Sequence, residues 1–227
     1  TEEFLTMPSF RLITEGVTDQ TTLEIILSIF YDDPDIDIER LQPPGDETDK
    51  YKQKDYGGWG MVFDYLQRKE FKEAITFADY FIIQIDTDVS PEFGIPHQEA
   101  GIDLTPEELY KRVKEKLISK MDGDFYDKHK ERFIFAISIH SIECWFLPLY
   151  YDDNRKSKLI NCLDTLNQRL KSQESFTIER KSPRYYETIS KKFKTKKKLV
   201  KLAANSPSFK MFLENLPDSG LTLGESD

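Results

Sequence analysis

The sequence predicts an α/β fold: a mainly parallel sheet flanked by helices, followed by an all-helical C-terminal extension. Three observations carry this expectation. Short β-rich apolar runs at 10–14, 80–86 and 133–139 alternate with helix-length segments, the order that gives parallel strands joined by right-handed crossovers. The run Tyr80–Ile85 is almost continuously apolar, as strands buried on both faces are. After Tyr151 only helical patterns occur, at 155–172, 183–194, 196–204 and 206–216. The expected organisation is an α/β domain over 9–150, a helical extension packed on it over 151–216, and a flexible tail over 217–227.

The first strand, Phe10–Thr14, stops at Glu15-Gly16. Thr18 offers an N-cap for an apolar-periodic helix with Leu23, Ile25, Ile26, Leu27, Ile29 and Phe30, ending at Tyr31-Asp32-Asp33-Pro34. Gly16 allows close backbone approach there. Asp19, in the first turn, reads either as a partner of the helix dipole or as a site carboxylate. A second strand is expected within Asp35–Leu41. Residues 42–58 are too polar and broken to be regular, and read as a flap over the site or a plain excursion. Gly57-Gly58-Trp59-Gly60 closes that loop and opens a helix through Leu66. The strand Tyr80–Ile85 then breaks off at Asp86, with Asp88 two residues on. A loop follows over 89–104. Thr105-Pro106-Glu107-Glu108 starts a helix running to about Met121 with an N-cap, a proline at the first position and acids in the first turn. The strand Phe133–Ile139 leads into His140 and Glu143, and 141–149 reads as an apolar helix broken at Pro148.

With 227 residues, 38% hydrophobic and 32% charged, the chain suits one domain with a real core plus a helical appendage. No apolar run is long enough to span a bilayer, and Thr1–Pro8 lacks a secretion-signal pattern. A cytoplasmic protein with no membrane partner is therefore expected. Cys144 and Cys162 have no metal-ligand spacing and lie in helical patterns, so they read as reduced thiols. The net charge of −9 argues against a generic nucleic-acid coat, but the charge is segregated. Acids dominate 32–49 and 86–108, and bases dominate 155–201, with Lys191-Lys192-Phe193-Lys194-Thr195-Lys196-Lys197-Lys198 at the centre. That run is either a phosphate-handling face or a solvated helix flank.

A parallel sheet brings every strand's carboxyl end to one edge, where α/β folds place their chemistry. Glu15, Asp86, Asp88, His140 and Glu143 all fall there, with Asp19 just behind. Acids that merely cap strands would account for one or two of these positions and account poorly for all of them.

The segment Ile13-Thr14-Glu15-Gly16-Val17-Thr18-Asp19, followed by a helix and later by Ile85-Asp86-Thr87-Asp88, resembles a Toprim domain. Topoisomerases, bacterial primases and overcoming-lysogenization-defect (OLD) family nucleases share that fold. His140-Ser141-Ile142-Glu143-Cys144-Trp145 and Ser206-Pro207-Ser208-Phe209-Lys210-Met211-Phe212-Leu213 are similar to segments of small stand-alone Toprim-like proteins of bacterial anti-phage defence systems, including the RloB-like group. The likeness spans roughly 9–150, and more loosely 183–216. It implies Glu15 as metal ligand or general acid/base, Asp86 and Asp88 as the metal-binding pair, and Asp19 and Glu143 as further ligands. His140 is either a substrate contact or a structural residue. Ser90 stands where a third aspartate of the longer Toprim pattern would be, which points away from topoisomerase-like or primase-like chemistry.

An all-carboxylate set suits Mg²⁺ or Mn²⁺ rather than zinc. The expected function is a metal-dependent nuclease hydrolysing phosphodiester bonds in DNA or RNA, including tRNA, as the effector of a defence system. Lys192, Lys196 and Lys197 are candidate phosphate contacts. Trp59 and Tyr56 either stack on a base, pack into the core or anchor the flap. No P-loop occurs, so any ATP-driven control would come from a partner ATPase, and a homodimer is compatible with this scheme. The alternatives are a catalytically degenerate Toprim module controlled by such an ATPase, or another phosphotransfer or nucleotidyl-transfer enzyme.

Overall fold

Alternation along the strands divides the interior into two layers. The computed structural model describes residues 7–44 and 58–217. Strands β1 (Phe10–Ile13), β2 (Ile38–Gln42), β3 (Tyr80–Asp86) and β6 (Phe133–Ser138) form one sheet in the order β2-β1-β3-β6, with every pairing parallel. Because successive side chains point to opposite faces, Leu12, Ile82, Ile134 and Ala136 enter one core, and Ile13, Phe81, Ile83, Ile85 and Phe135 enter the other. Helix α1 (Val17–Tyr31) covers the first face with Leu23, Ile26, Leu27 and Phe30, the i, i+3, i+4, i+7 stripe of a core helix. Helices α2 (Trp59–Leu66), α3 (Lys69–Ala74) and α4 (Pro106–Ile118) supply residues to the second core. The α/β class with a parallel sheet between helices is thus as the sequence predicts.

The helices after residue 151 complete the first core. Tyr186 of α7 (Pro183–Ser190), Leu199 of α8 (Lys196–Ala203) and Phe209, Phe212 and Leu213 of α9 (Pro207–Glu214) share one buried cluster with Phe10 and Ile82. The two late segments of the family resemblance meet each other here. Trp145 stacks on Phe209 at 4.6 Å and on Phe212 at 5.6 Å. Its indole N–H and the Ile139 amide both donate to the Ser208 hydroxyl, at 3.0 and 3.3 Å.

A few helix starts carry a side-chain cap. Helix α4 begins with a complete capping box: Thr105 Oγ1 accepts from the Glu108 amide and Glu108 returns the bond to the Thr105 amide. Thr105→Ala is expected to lower stability by about 1 kcal/mol, read as a shifted urea midpoint at constant slope. An unchanged midpoint would show the cap to be dispensable.

Several expectations are corrected. Gly16, not Thr18, is the N-cap of α1; Thr18 is already helical and buried. The second strand spans Ile38–Gln42 rather than Asp35–Leu41, and Arg11 of β1 pairs with Asp37 and Glu39 beside it. The stretch 89–104 is not a plain loop: it holds a 3-10 turn, Ser90–Phe93, and a small antiparallel hairpin of β4 (Gln98–Glu99) and β5 (Ile102–Asp103). A short helix, α5 (Gly123–His129), follows α4 where no helix was expected. The segment Ile142–Leu149 is 3-10 rather than α-helical, with Pro148 lacking a donor inside it. The expected helix 155–172 is a 3-10 turn, Asn154–Ser157, and then α6 (Cys162–Gln173).

The cysteines are also corrected. Packing of α6 on the 3-10 helix brings the Cα atoms of Cys144 and Cys162 to 5.0 Å, and a disulfide joins them. The pairing removes the thiol-based reason for inferring a reducing compartment. Among the described residues, no helix is long and apolar enough to cross a membrane. The central part of the expected flap (45–57, with Tyr56) and the tail beyond Pro217 lie outside the described residues. Pro217 itself accepts a 2.8 Å hydrogen bond from the Tyr31 hydroxyl.

Candidate active site at the sheet edge

Gln84 and Asp86 point to the α1 face of β3, the same side as Ile82, and Gln84 ties the first two strand ends together. Its amide oxygen accepts from the Glu15 N–H at 3.2 Å and its amide nitrogen donates to Asp86 Oδ1 at 3.0 Å. The Asp86 N–H donates to Glu15 Oε1 at 3.0 Å. Glu15 therefore lies across the end of β3 with Oε2 outside that bond. Asp19 approaches from the first turn of α1. A Cβ on Gly16 would stand 3.1 Å from Asp19 Oδ2, so glycine gives this carboxylate its room. Asp19 Oδ1 is buried and has no hydrogen-bond partner. Ser138, facing Asp86 in the register of β3 and β6, has a hydroxyl in the same condition.

Glu143 completes the group from the 3-10 helix after β6. It is 1% exposed; Tyr186 OH donates to Oε1, and Lys181 Nζ lies 3.3 Å from the same oxygen. Among the described residues, the four carboxylates Glu15, Asp19, Asp86 and Glu143 thus share one cation, Lys181, whose side chain is 51% exposed.

Their protonation follows from that imbalance. Burial, then the charge of Asp19, pushes the Glu15 carboxyl up to about 8. Burial raises Asp19 to about 7 against the opposing charge of Lys181. Asp86 is raised well above its ordinary value by burial and by Asp19 and Glu15. Burial would also raise Glu143, but Lys181 and hydrogen bonds from Ser141 and Tyr186 outweigh it and hold Glu143 below the usual range. The acid cluster gives Lys181 a raised pKa in turn, despite the cost of burying its charge.

Asp88 is exposed just past β3, and its amide donates to the His140 carbonyl at 2.9 Å. His140 adopts a left-handed backbone with φ of 59°, unusual outside glycine, and its amide donates to Thr87 Oγ1 at 2.7 Å. Burial and the neighbouring His97 lower its pKa, with Asp88 opposing them.

Of the sequence-expected residues, Glu15, Asp19, Asp86 and Glu143 therefore form one buried group, with Asp88 and His140 at its rim. The lysines do not join it. Lys192 pairs with Glu174, and Lys196 sits over the Phe30 ring at 4.2 Å. Phe30 lies eleven residues along α1 from Asp19 (30 minus 19), about 16 Å at 1.5 Å per residue. Lys197 is exposed on that same helix α8. Trp59 packs on Phe63 and Phe93 at 5.4 and 5.3 Å beside the second core and donates to Glu92, as the core-packing reading has it. Gly58, which follows the undescribed stretch, donates to the Glu15 carbonyl at 2.8 Å. Sequence reasoning missed Lys181, Gln84 and Tyr186. The only hints were the general basicity of 155–201 and a glutamine interrupting an otherwise apolar strand.

Among the described residues, no three His, Cys, Asp or Glu side chains are gathered so as to hold a metal ion as they stand. In donor chemistry alone the group would suit a hard divalent cation: among the described residues its candidate donors are carboxylate oxygens, one buried oxygen is orphaned, and negative charge is in excess. Comparison with protein-family models, curated proteins and solved structures found no match.

Proposed function

We propose that the protein is a Mg²⁺- or Mn²⁺-dependent nuclease with a Toprim-like site, acting on DNA or RNA as the effector of an anti-phage defence system. The observation that supports it is the buried meeting of Glu15, Asp19, Asp86 and Glu143, drawn from the ends of three neighbouring parallel strands and the first turn of α1, around one lysine. Such a concentration of raised carboxyl pKa values marks functional sites more often than structural ones.

In this reading Asp19, Asp86, Asp88 and Glu143 would hold the cation, which when bound supplies charge neutralisation at the phosphate and an acidified water. Glu15 would accept the proton of the attacking water on Oε2 while Oε1 stays on the Asp86 amide. Lys181 steers a phosphate oxygen toward the cluster, the role expected of Lys192, Lys196 and Lys197 from the sequence.

The second reading, a degenerate module governed by a partner ATPase, is favoured by Lys181 already neutralising Glu143. Incubation of plasmid, single-stranded DNA and tRNA with Mg²⁺ or Mn²⁺ separates the two. Cleavage by the wild type that disappears in Glu15→Gln and Asp86→Asn supports the nuclease; cleavage persisting in both variants removes the carboxylates from the chemistry. No cleavage of any substrate, with the partner ATPase present, favours the module.

A further inference from the structure

Beyond the strand ends, on the opposite face from Asp19, lies a cleft of about 590 Å³ whose lining includes His97, His140, Leu109, Ile139, Leu159 and Ile160. We propose that this cleft receives a nucleobase of the substrate, the base adjoining the phosphate held at the acidic cluster. The inference rests on the nuclease reading for its orientation, but not for the existence of the cleft.

Size and chemistry select the ligand. The volume lies inside the range of small-molecule sites, and the walls are aliphatic with a few convergent polar groups. Those groups are the imidazoles of His97 and His140, 5.0 Å apart between ring centres, and the paired side chains of Gln98 and Asp103 on the hairpin. Together they offer both donors and acceptors to the edge of a base, while the apolar walls accept its faces. Among the described residues no lysine or arginine lines the cleft, and Asp103 does, so a phosphate is disfavoured there. A base is the part of a nucleotide that needs no countercharge.

Position supplies the rest. His140 belongs to both regions: its ring lines the cleft and its carbonyl accepts from the Asp88 amide at the rim of the acidic group. Thr87 locks the arrangement. Its hydroxyl takes the His140 amide and its carbonyl lies 2.7 Å from His97 Nε2, so that nitrogen carries the hydrogen. The ends of β3 and β6 and the hairpin loop are thereby fixed relative to one another. A nucleotide crossing the sheet edge would place its phosphate toward Asp88 and its base between the histidines and Ile160. Ile160 is 54% exposed, an apolar side chain at the mouth with no core to serve.

The test is a titration of the full chain, followed by amide chemical shifts, with adenosine 5′-monophosphate, cytidine 5′-monophosphate and ribose 5-phosphate in Mg²⁺. The nucleotides are expected to bind about tenfold tighter than the sugar phosphate, with shifts at Gln98, His140 and Ile160. Ile160→Asp, at an exposed position that leaves the fold intact, is expected to remove most of that advantage and leave ribose 5-phosphate binding unchanged. Equal binding of all three ligands, or none, overturns the proposal, as does an Ile160→Asp variant with wild-type preference. Cleavage assays on the same preparations separate the two claims. Cleavage without base preference in binding defeats the cleft alone, and base-dependent binding without cleavage defeats the nuclease reading alone.

Discussion

Asp86→Asn is expected to make the cation-free protein more stable at pH 8 while abolishing its cleavage activity. Asp86 is 5% exposed at the tip of a buried strand, and its charge faces those of Glu15, Asp19 and Glu143 with Lys181 as the shared cation. Asparagine keeps the oxygen that accepts from Gln84 and removes the charge, so the fold loses repulsion and little else. A carboxyl raised in the folded state favours folding most below its unfolded pKa, and that contribution is lost as pH rises through the folded value. Glu15 moves from 4.5 to about 8 and Asp19 from 3.8 to about 7, so wild-type stability should fall between pH 4 and 8. The variant flattens that slope. Its gain at pH 8 should be about 2 kcal/mol, given effective desolvation costs of several kcal/mol per buried ion, or roughly 4–8 °C in melting temperature for a chain of this size. Well below the ordinary aspartate value of 3.8, where wild type is neutral at this position in both the folded and the unfolded state, the two should melt together. Mn²⁺ at a hundredfold excess over its Kd should stabilise wild type by about 2.7 kcal/mol at pH 8. The gain should be smaller at pH 6, because the ligands must first release protons. The variant should respond to neither condition. A variant that melts lower than wild type at pH 8 would mean that the Asp86 charge is stabilising, and the repulsive account would fail.

The same cluster shows what a sequence can disclose. Glu15 and Asp86 were visible because a buried parallel strand is a recognisable apolar run, and a carboxylate at its tip stands out against it. The capping box at Thr105–Glu108 is local in the same way, with four adjacent residues carrying the whole signal. Lys181 has no such mark. It reaches Glu143 across 38 positions (181 minus 143) only because α7 docks on α1, and it sits in a segment rich in equivalent lysines. The conspicuous run 191–198 drew attention instead, yet Lys192 and Lys196 serve Glu174 and the Phe30 ring. Charge density is a property of composition, whereas a site cation is chosen by tertiary packing. The 3-10 form of 142–149 was equally hidden, since apolar periodicity over eight residues does not separate it from an α-turn.

Loss of the Cys144–Cys162 link is expected to be the larger structural lesion. The bond closes a chain separation of 18 residues, and in the chain-entropy account a loop of about that length stabilises by roughly 3 kcal/mol. For a chain of this size that corresponds to a melting temperature lower by about 6–12 °C. Cys144 adjoins Glu143 on the 3-10 helix, and the closed segment carries Leu159 and Ile160, so the link constrains both a site carboxylate and the mouth of the cleft. The sulfurs belong to residues only 1% and 2% exposed, which predicts slow reduction until the protein opens. The Cys144→Ala/Cys162→Ala double variant avoids that kinetic barrier and should melt in the stated range below wild type. Intact mass without reductant should be lighter by two hydrogens than after denaturing reduction. If the masses are equal, the thiols are free and the reduced-cysteine reading holds. If the masses differ but the double variant melts with wild type, the link exists without stabilising the fold, because the packing of α6 on the 3-10 helix already fixes that segment.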